Sequence, residues 1–199
     1  MSFSGRSVSP VNRDPGGMVA HPGGRAGMPR LVLVGTPNVG KSALFNALTG
    51  IYVTVSNYPG TTVEVARGRA VIDGTTWEVI DTPGLYSLLP ITEEERVART
   101  VLLWDRPDLI LHVVEARHLT RLLSLTLQLL ETGLPLILVV NVLDEAERLG
   151  IRLDLSLLQQ RLGVPVVGTV AAGGRGVDEL KARIASWYRS AKGEERKVG

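Results

Sequence analysis

Apolar and polar positions alternate along this chain in blocks, and the block periods predict its elements. The apolar run Leu31-Val32-Leu33-Val34 is short and unbroken and reads as a buried strand. The period then lengthens, and residues 43–48 read as a helix stopped near Thr49-Gly50. Residues 51–62 show no strong period and read as a loop. Residues 63–72 and 76–80 flank Asp73-Gly74-Thr75. Asp-Gly between alternating apolar runs predicts a hairpin, so these two strands are antiparallel neighbours. Residues 85–92 read as a mobile loop. Residues 93–104 form an amphipathic helix, with Val97, Val101 and Leu102 on one face and acidic residues in the first turn. A strand at 108–114, a helix at 119–130 closed by Gly133 and Pro135, and a strand at 136–140 follow. A helix at 153–162 ending at Gly163, a strand at 165–167, a loop at 168–176 and a helix at 178–188 complete the pattern. This alternation predicts an α/β fold, a mainly parallel six-stranded sheet with helices on both faces.

Composition narrows the classes. The 199 residues are 44% hydrophobic and 21% charged, ordinary for a globular domain with its own core. The chain has no cysteine, which excludes disulfides, thiolate metal sites and cysteine nucleophiles. The longest apolar stretch, around residues 134–143, is interrupted by Pro135 and Asn141 and falls far short of the ~20 residues that span a bilayer. The N-terminus has no apolar signal core, so the sequence reads as soluble and cytoplasmic. Residues 1–29 are rich in Gly, Pro, Ser and Arg and read as a disordered tail; Met18 and Met28 are alternative starts. Its arginines read as a solvated linker, or else as contacts to acidic lipid headgroups. Residues 191–199 read as a charged, frayed C-terminal tail, leaving 30–190 as the folded domain. Four arginines against one aspartate put residues 1–30 at +3, so the rest of a chain of net charge +2 stands at −1. A nearly neutral body with no basic stripe argues against a nucleic-acid partner.

The first strand and helix bracket Gly35-Thr36-Pro37-Asn38-Val39-Gly40-Lys41-Ser42, which has the GxxxxGK[ST] spacing of a phosphate-binding loop. Glycines without Cβ let backbone N–H groups approach phosphate, and the helix N-terminus backs them. Lys41 supplies a point charge for β- and γ-phosphates, and Ser42 a hydroxyl for Mg²⁺. The third strand runs into Asp81-Thr82-Pro83-Gly84, a DxxG pattern. Asp81 can hold Mg²⁺ through water, and the Gly84 N–H can meet a γ-phosphate and turn away when it leaves. Thr61 and Thr62 sit in the first loop; Thr62 is the favoured Mg²⁺ ligand and Thr61 the alternative. Asn141-Val142-Leu143-Asp144 is an NxxD segment whose Asp carboxylate can accept two hydrogen bonds from guanine but finds no such pair on adenine. The common form has Lys in the second place; Val142 there predicts weaker binding and quick exchange. All these segments leave the C-terminal ends of strands, where open α/β sheets bind ligands.

Many GTP hydrolases orient the attacking water with a glutamine just after DxxG. Leu85 stands there and can neither donate nor accept. The Asn38 side-chain carbonyl offers an alternative, a monovalent cation such as K⁺ doing the electrostatic work of an arginine finger; the plainer reading is that Asn38 braces the loop. His21, His112 and His118 are scattered and form no iron site.

The segments NYPGTTVE from Asn57, DTPGLYSL from Asp81, TLQLLETGLPLILVVNVLDEAERLGIRLD from Thr126 and LGVPVV from Leu162 resemble the GTPase domain of the ferrous-iron transport protein B family over residues 30–188. The resemblance implies a P-loop, Ras-like G domain that binds GTP/GDP with Mg²⁺ and is stimulated by K⁺, and that regulates a membrane iron permease, whether a further domain or a separate chain. It implies Asn38 as the K⁺ ligand, Ser42 and Thr62 as Mg²⁺ ligands with Asp81, and Ala171 as a backbone donor to the base. The nucleotide set it implies is Gly35, Thr36, Pro37, Asn38, Val39, Gly40, Lys41, Ser42 and Ala43, then Gly60, Thr61 and Thr62, then Asp81, Thr82, Pro83 and Gly84, then Asn141, Val142, Asp144, Val170 and Ala171. Asn38, Lys41, Thr62 and Gly84 are its catalytic members. Three features depart from the family: Thr82 where Leu is usual, Val170-Ala171 where Ser-Ala is usual, and Glu115 where Asp is commoner. The expected function is therefore slow GTP hydrolysis controlling ferrous-iron import, the chain being a fragment, a split version or a stand-alone relative. The alternatives are a soluble GTPase of the ribosome-assembly or tRNA-modification type, where DTPG is common, and a nucleotide-sensing module with little hydrolysis.

Overall fold

The computed structural model describes residues 28–50, 53–105 and 107–198, with side chains through residue 192. The tail assigned to residues 1–29 lies outside them, apart from Met28 and Pro29. Among the described residues, seven strands and six helices follow in chain order. They are β1 (Arg30–Val34), α1 (Lys41–Leu48), β2 (Val53–Asn57), β3 (Glu64–Ile72), β4 (Thr75–Asp81), α2 (Glu93–Trp104), β5 (Leu109–Glu115), α3 (Leu119–Glu131), β6 (Leu136–Asn141), α4 (Leu143–Arg148), α5 (Leu155–Leu162), β7 (Val166–Gly168) and α6 (Val177–Val198). Short 3-10 turns precede α3 and lie at Ala171–Gly173.

The sheet order is β2-β3-β4-β1-β5-β6-β7. β3 runs antiparallel to both its neighbours, and β4, β1, β5, β6 and β7 are parallel. The expected six strands are seven. β2 occupies part of the segment read as a loop, pairing Val53 with Gly68 through Asn57 with Glu64. It is an edge strand exposed at every position, so burial imposes no alternation on its sequence. The Asp73-Gly74 turn is a two-residue hairpin turn with φ 48° and 73°, as the dipeptide predicts.

Strict alternation in the central strands sorts the core. Leu31 and Leu33, Leu109, Leu111 and Val113, and Ile137 and Val139 face Leu44, Phe45 and Leu48 of α1 and Leu180 and Ile184 of α6. Val32, Val34 and Ile110 face Val97, Val101 and Leu102 of α2 and Leu125 and Leu129 of α3. Leu138, Val140 and Val166 meet Ala146 of α4 and the half-buried leucines of α5. A residue shifted by one position would change faces, so burial on both sides fixes the register. Trp77, fully buried on β4, meets Tyr188 of α6 edge-on at 5.1 Å between centroids.

Two helix ends depart from the pattern. α4 is an additional helix, entered through Val142 in the left-handed region (φ 60°). α6 runs to Val198, where the sequence reading stopped it at Tyr188 and left a frayed tail. Among the described residues no helix is long and apolar enough to cross a membrane.

Candidate nucleotide-binding site

The β1–α1 loop turns through two left-handed positions, Asn38 (φ 65°) and Gly40 (φ 87°). Its glycines also answer to protein neighbours. A Cβ at Gly35 would lie 2.2 Å from the Val113 carbonyl oxygen, and one at Gly40 would lie 2.3 Å from Asn141 Nδ2. The Leu44 N–H is the first to reach a carbonyl within the turn, that of Gly40 at 3.0 Å. The N–H groups of Lys41, Ser42 and Ala43 precede the helical ladder and form its positive end.

Lys41 is buried, and its Nζ donates to the Thr36 carbonyl at 3.2 Å. Burial draws its ammonium below the usual lysine range, and the Asp81 carboxylate opposes that. Ser42 Oγ donates to Asp81 Oδ2 at 2.8 Å. Asp81 Oδ1 is buried with no hydrogen-bond partner among the described residues. Burial raises the Asp81 carboxyl above its usual range, against the pull of Ser42 and then Lys41. A buried carboxylate oxygen left unpaired beside a hydroxyl is an incomplete oxygen donor set, the kind a hard cation completes. No group of three or more His, Asp or Glu side chains able to hold a metal occurs among the described residues. Mg²⁺ fits such a place, because it usually takes one or two protein oxygens and fills the rest with water and phosphate.

The segment after Asp81 is held by its neighbours. Thr82 Oγ1 donates to the Leu33 carbonyl at 2.8 Å. A Cβ at Gly84 would lie 2.4 Å from Pro37 Cγ, so the DxxG glycine lies directly against the phosphate loop. The Leu85 N–H donates to the Gly35 carbonyl at 3.0 Å, while its side chain is fully buried among Val32, Val97 and Val101. The Leu85 side chain therefore points away from the cleft. The loop read as mobile is pinned by two side chains. Glu95 accepts from the N–H groups of Tyr86, Ile91 and Thr92 at 3.3, 2.8 and 3.2 Å. Those N–H bonds hold its carboxyl below the usual range, the Ile91 bond foremost. Gln128 Oε1 accepts from Leu88 N–H at 2.8 Å and Ser87 Oγ at 3.1 Å.

In the first loop, Gly60 turns at φ 79°. Thr61 Oγ1 is occupied, donating to the Tyr58 carbonyl at 2.9 Å and accepting from Val63 N–H at 3.2 Å. Thr62 beside it is exposed, as are Pro37 and Asn38.

At the other end of the cleft, Asn141 is a buried tie. Its Nδ2 donates to the Val39 carbonyl at 3.0 Å, and its Oδ1 accepts from Thr169 Oγ1 at 2.9 Å and Ala171 N–H at 3.0 Å. The Ala171 N–H, expected as a donor to a base, donates here to Asn141. Val170 N–H is spent too, on the Arg175 carbonyl at 2.9 Å. Ala172, next in the 3-10 turn, is exposed. Asp144 accepts from Arg148, one turn on, at 2.6 Å. A shallow cavity of about 600 Å³ opens between α1, this turn and α6, lined by Ala43, Asn46, Ala47, Ala172 and Lys181. Sequence reading missed Thr169, Ala172, Glu95 and Gln128. Of these only Glu95 left a signal, three places after Thr92 in a capping box.

Residues 29–184 match the family model described as ferrous iron transport protein B. The Fe(2+) transporter FeoB of Salmonella typhimurium is 44% identical over 156 residues, 76% of this chain and 20% of the relative. The chain thus spans about one fifth of the length of the curated relatives it matches. The solved G domain of T. maritima FeoB is 40% identical, covers 81% of this chain and 99% of its own, and superposes with a TM-score of 0.76. The cytosolic domain of the same protein, solved in a GMPPNP form, is 41% identical at a TM-score of 0.74, over 80% of this chain and 63% of that one. The sheet, the phosphate loop and these matches agree: this chain has the P-loop fold of the G domain and belongs to the ferrous iron transport protein B family.

Proposed function

We propose that this chain is a Mg²⁺-dependent GTP-binding and GTP-hydrolysing domain that regulates a ferrous-iron permease in the cell membrane, from its cytoplasmic face. The observation that carries the reading is the facing of Lys41, Ser42 and Asp81, with Asp81 Oδ1 buried and unpartnered. The related T. maritima cytosolic domain has been solved in GDP and GMPPNP forms, which supports a guanine nucleotide. Lys41 and the N–H groups of Lys41, Ser42 and Ala43 hold phosphate oxygens in a low-dielectric pocket. Ser42, Asp81 and Thr62 would hold Mg²⁺, which when bound neutralises charge on the phosphates. Thr61 cannot share that role without leaving its turn. Gly84, pressed on Pro37, would offer its N–H to the γ-phosphate. Asp144 reads the base, once released from Arg148, and the turn that begins at Ala171 supplies the backbone donor beside it. With Leu85 buried, no side chain at that position orients water. Asn38, exposed and left-handed, is the residue we assign to K⁺.

Thr82, the feature that favoured a ribosome-assembly or tRNA-modification GTPase, spends its hydroxyl on the Leu33 carbonyl. Its presence is accounted for by packing between β4 and β1. Calorimetry with GDP and GMPPNP, with and without Mg²⁺, tests binding; GTP turnover in KCl against NaCl tests the cation. Micromolar GDP binding lost to competition by ATP would overturn the guanine assignment, and equal turnover in the two salts would remove K⁺.

A further inference from the structure

We infer that Gln128 is a positioning residue for the γ-phosphate response: it is the fixed post to which the segment after the DxxG glycine is tied. The inference rests on the guanine-nucleotide reading above. From Gly84 onward the chain is fastened at successive points: Leu85 N–H to the phosphate loop, Tyr86, Ile91 and Thr92 N–H to Glu95, and Ser87 and Leu88 to Gln128. These anchors differ in kind. Glu95 belongs to α2, the helix that directly continues this loop, so its tie is local in the chain. Gln128 lies 40 residues away on α3. Its helix is packed on the sheet, with Leu125 and Leu129 buried in the core on either side. Thr126 is fully buried as well, and its Oγ1 lies 3.1 Å from Nδ1 of the buried His112 on β5. The tie between Gln128 and Ser87-Leu88 thus fastens the segment after Gly84 to a helix remote in sequence and anchored in the core.

The tie needs an acceptor only. Leu88 N–H and Ser87 Oγ both donate to the same atom, Gln128 Oε1, and Ser87 Oγ then accepts from Leu89 N–H at 3.2 Å. Glutamate keeps that acceptor and leucine removes it at similar volume. This chemistry separates the tie from simple packing. Releasing it frees Ser87 and Leu88, three and four residues beyond Gly84, and loosens where the Gly84 N–H rests relative to Pro37.

The experiment uses the full chain with Q128L, Q128E and S87A. For each, dissociation constants for GDP and GMPPNP with Mg²⁺, single-turnover GTP hydrolysis and hydrogen exchange at the Leu88 amide are measured. GDP affinity is expected to stay within about twofold of wild type in all three, because no GDP-facing group changes. In Q128L, hydrolysis and the GMPPNP-to-GDP affinity ratio should shift by about tenfold, the scale of two lost hydrogen bonds, and Leu88 should lose protection. Q128E should keep the wild-type ratio and protection, and S87A should fall between. Q128L and Q128E behaving alike, whether both wild-type-like or both impaired, overturns the proposal. A wild-type chain that binds neither nucleotide overturns the guanine reading instead, and Leu88 exchange in Q128L against Q128E then decides the tie by itself.

Discussion

At the phosphate end of the cleft, buried Lys41 and half-buried Asp81 lie close together, and the exposed Ser42 donates its hydroxyl to Asp81. At the base end, Asp144 pairs with an exposed arginine on a six-residue helix entered through a left-handed valine. The first end holds two charges against the cost of burial. The second holds its charge near water, where an ion pair between exposed groups is worth about 1 kcal/mol or less. Asn141 joins them, hydrogen-bonded to Val39 in the phosphate loop and to Thr169 and Ala171 behind the base. The contrast teaches that affinity should reside at the phosphate end and that the base end should be the easier one to retune.

The strongest way to break this comparison is Lys41→Ala. It should weaken GDP binding by two orders of magnitude or more, on the scale of about 3 kcal/mol for a charge-assisted contact in a dry pocket. Unchanged calorimetric titrations would refute the phosphate-end assignment. Asn141→Leu should come next. It leaves three buried groups unpaired and should cost about 3 kcal/mol of stability, read as a lower denaturant midpoint, and it should weaken both ends together. Asp81→Asn should have a smaller effect of opposite sign on stability. A carboxyl raised above 3.8 by burial contributes stability that is complete below that pH and is lost as pH rises through its folded value. The nucleotide-free variant should therefore unfold at higher denaturant than wild type at pH 7, and the gap should close near pH 3.5, while Mg²⁺-dependent binding is lost. Val142→Asn should stabilise the fold by about 1 kcal/mol, since a β-branched residue at φ 60° is strained and Asn tolerates that region. A lower midpoint for V142N would mean the turn is not strained. Smallest of all, Arg148→Ala should change GDP affinity less than about fivefold, and upward, by freeing Asp144; a tenfold loss would show that Arg148 supports the carboxylate rather than competing for it.

What the sequence disclosed tracks burial. The central strands and α2 were legible because two buried faces, or an apolar stripe at Val97, Val101 and Leu102 behind an acidic first turn, leave a pattern. β2 left none, being exposed at all five positions, and α4 hid behind a residue whose type argues against the left-handed entry it makes. At the site, Lys41, Ser42, Asp81 and Asn141 could be read from spacing, and the structure brings each to one edge of the sheet. The contact between Ala171 and Asn141 left no mark in the sequence. Spacing places a backbone segment but cannot say which N–H a neighbouring side chain has taken, and here Asn141 takes that of Ala171. Gln128 was invisible for the same reason, since its partners lie 40 and 41 residues away.

The crowding at Gly35 bears on how variants of this loop are interpreted. Its missing methyl group leaves room for the Val113 carbonyl at a separation no larger side chain tolerates. An inactive G35A protein would therefore report two main chains forced apart beneath the cleft, and its silence would say nothing about catalysis.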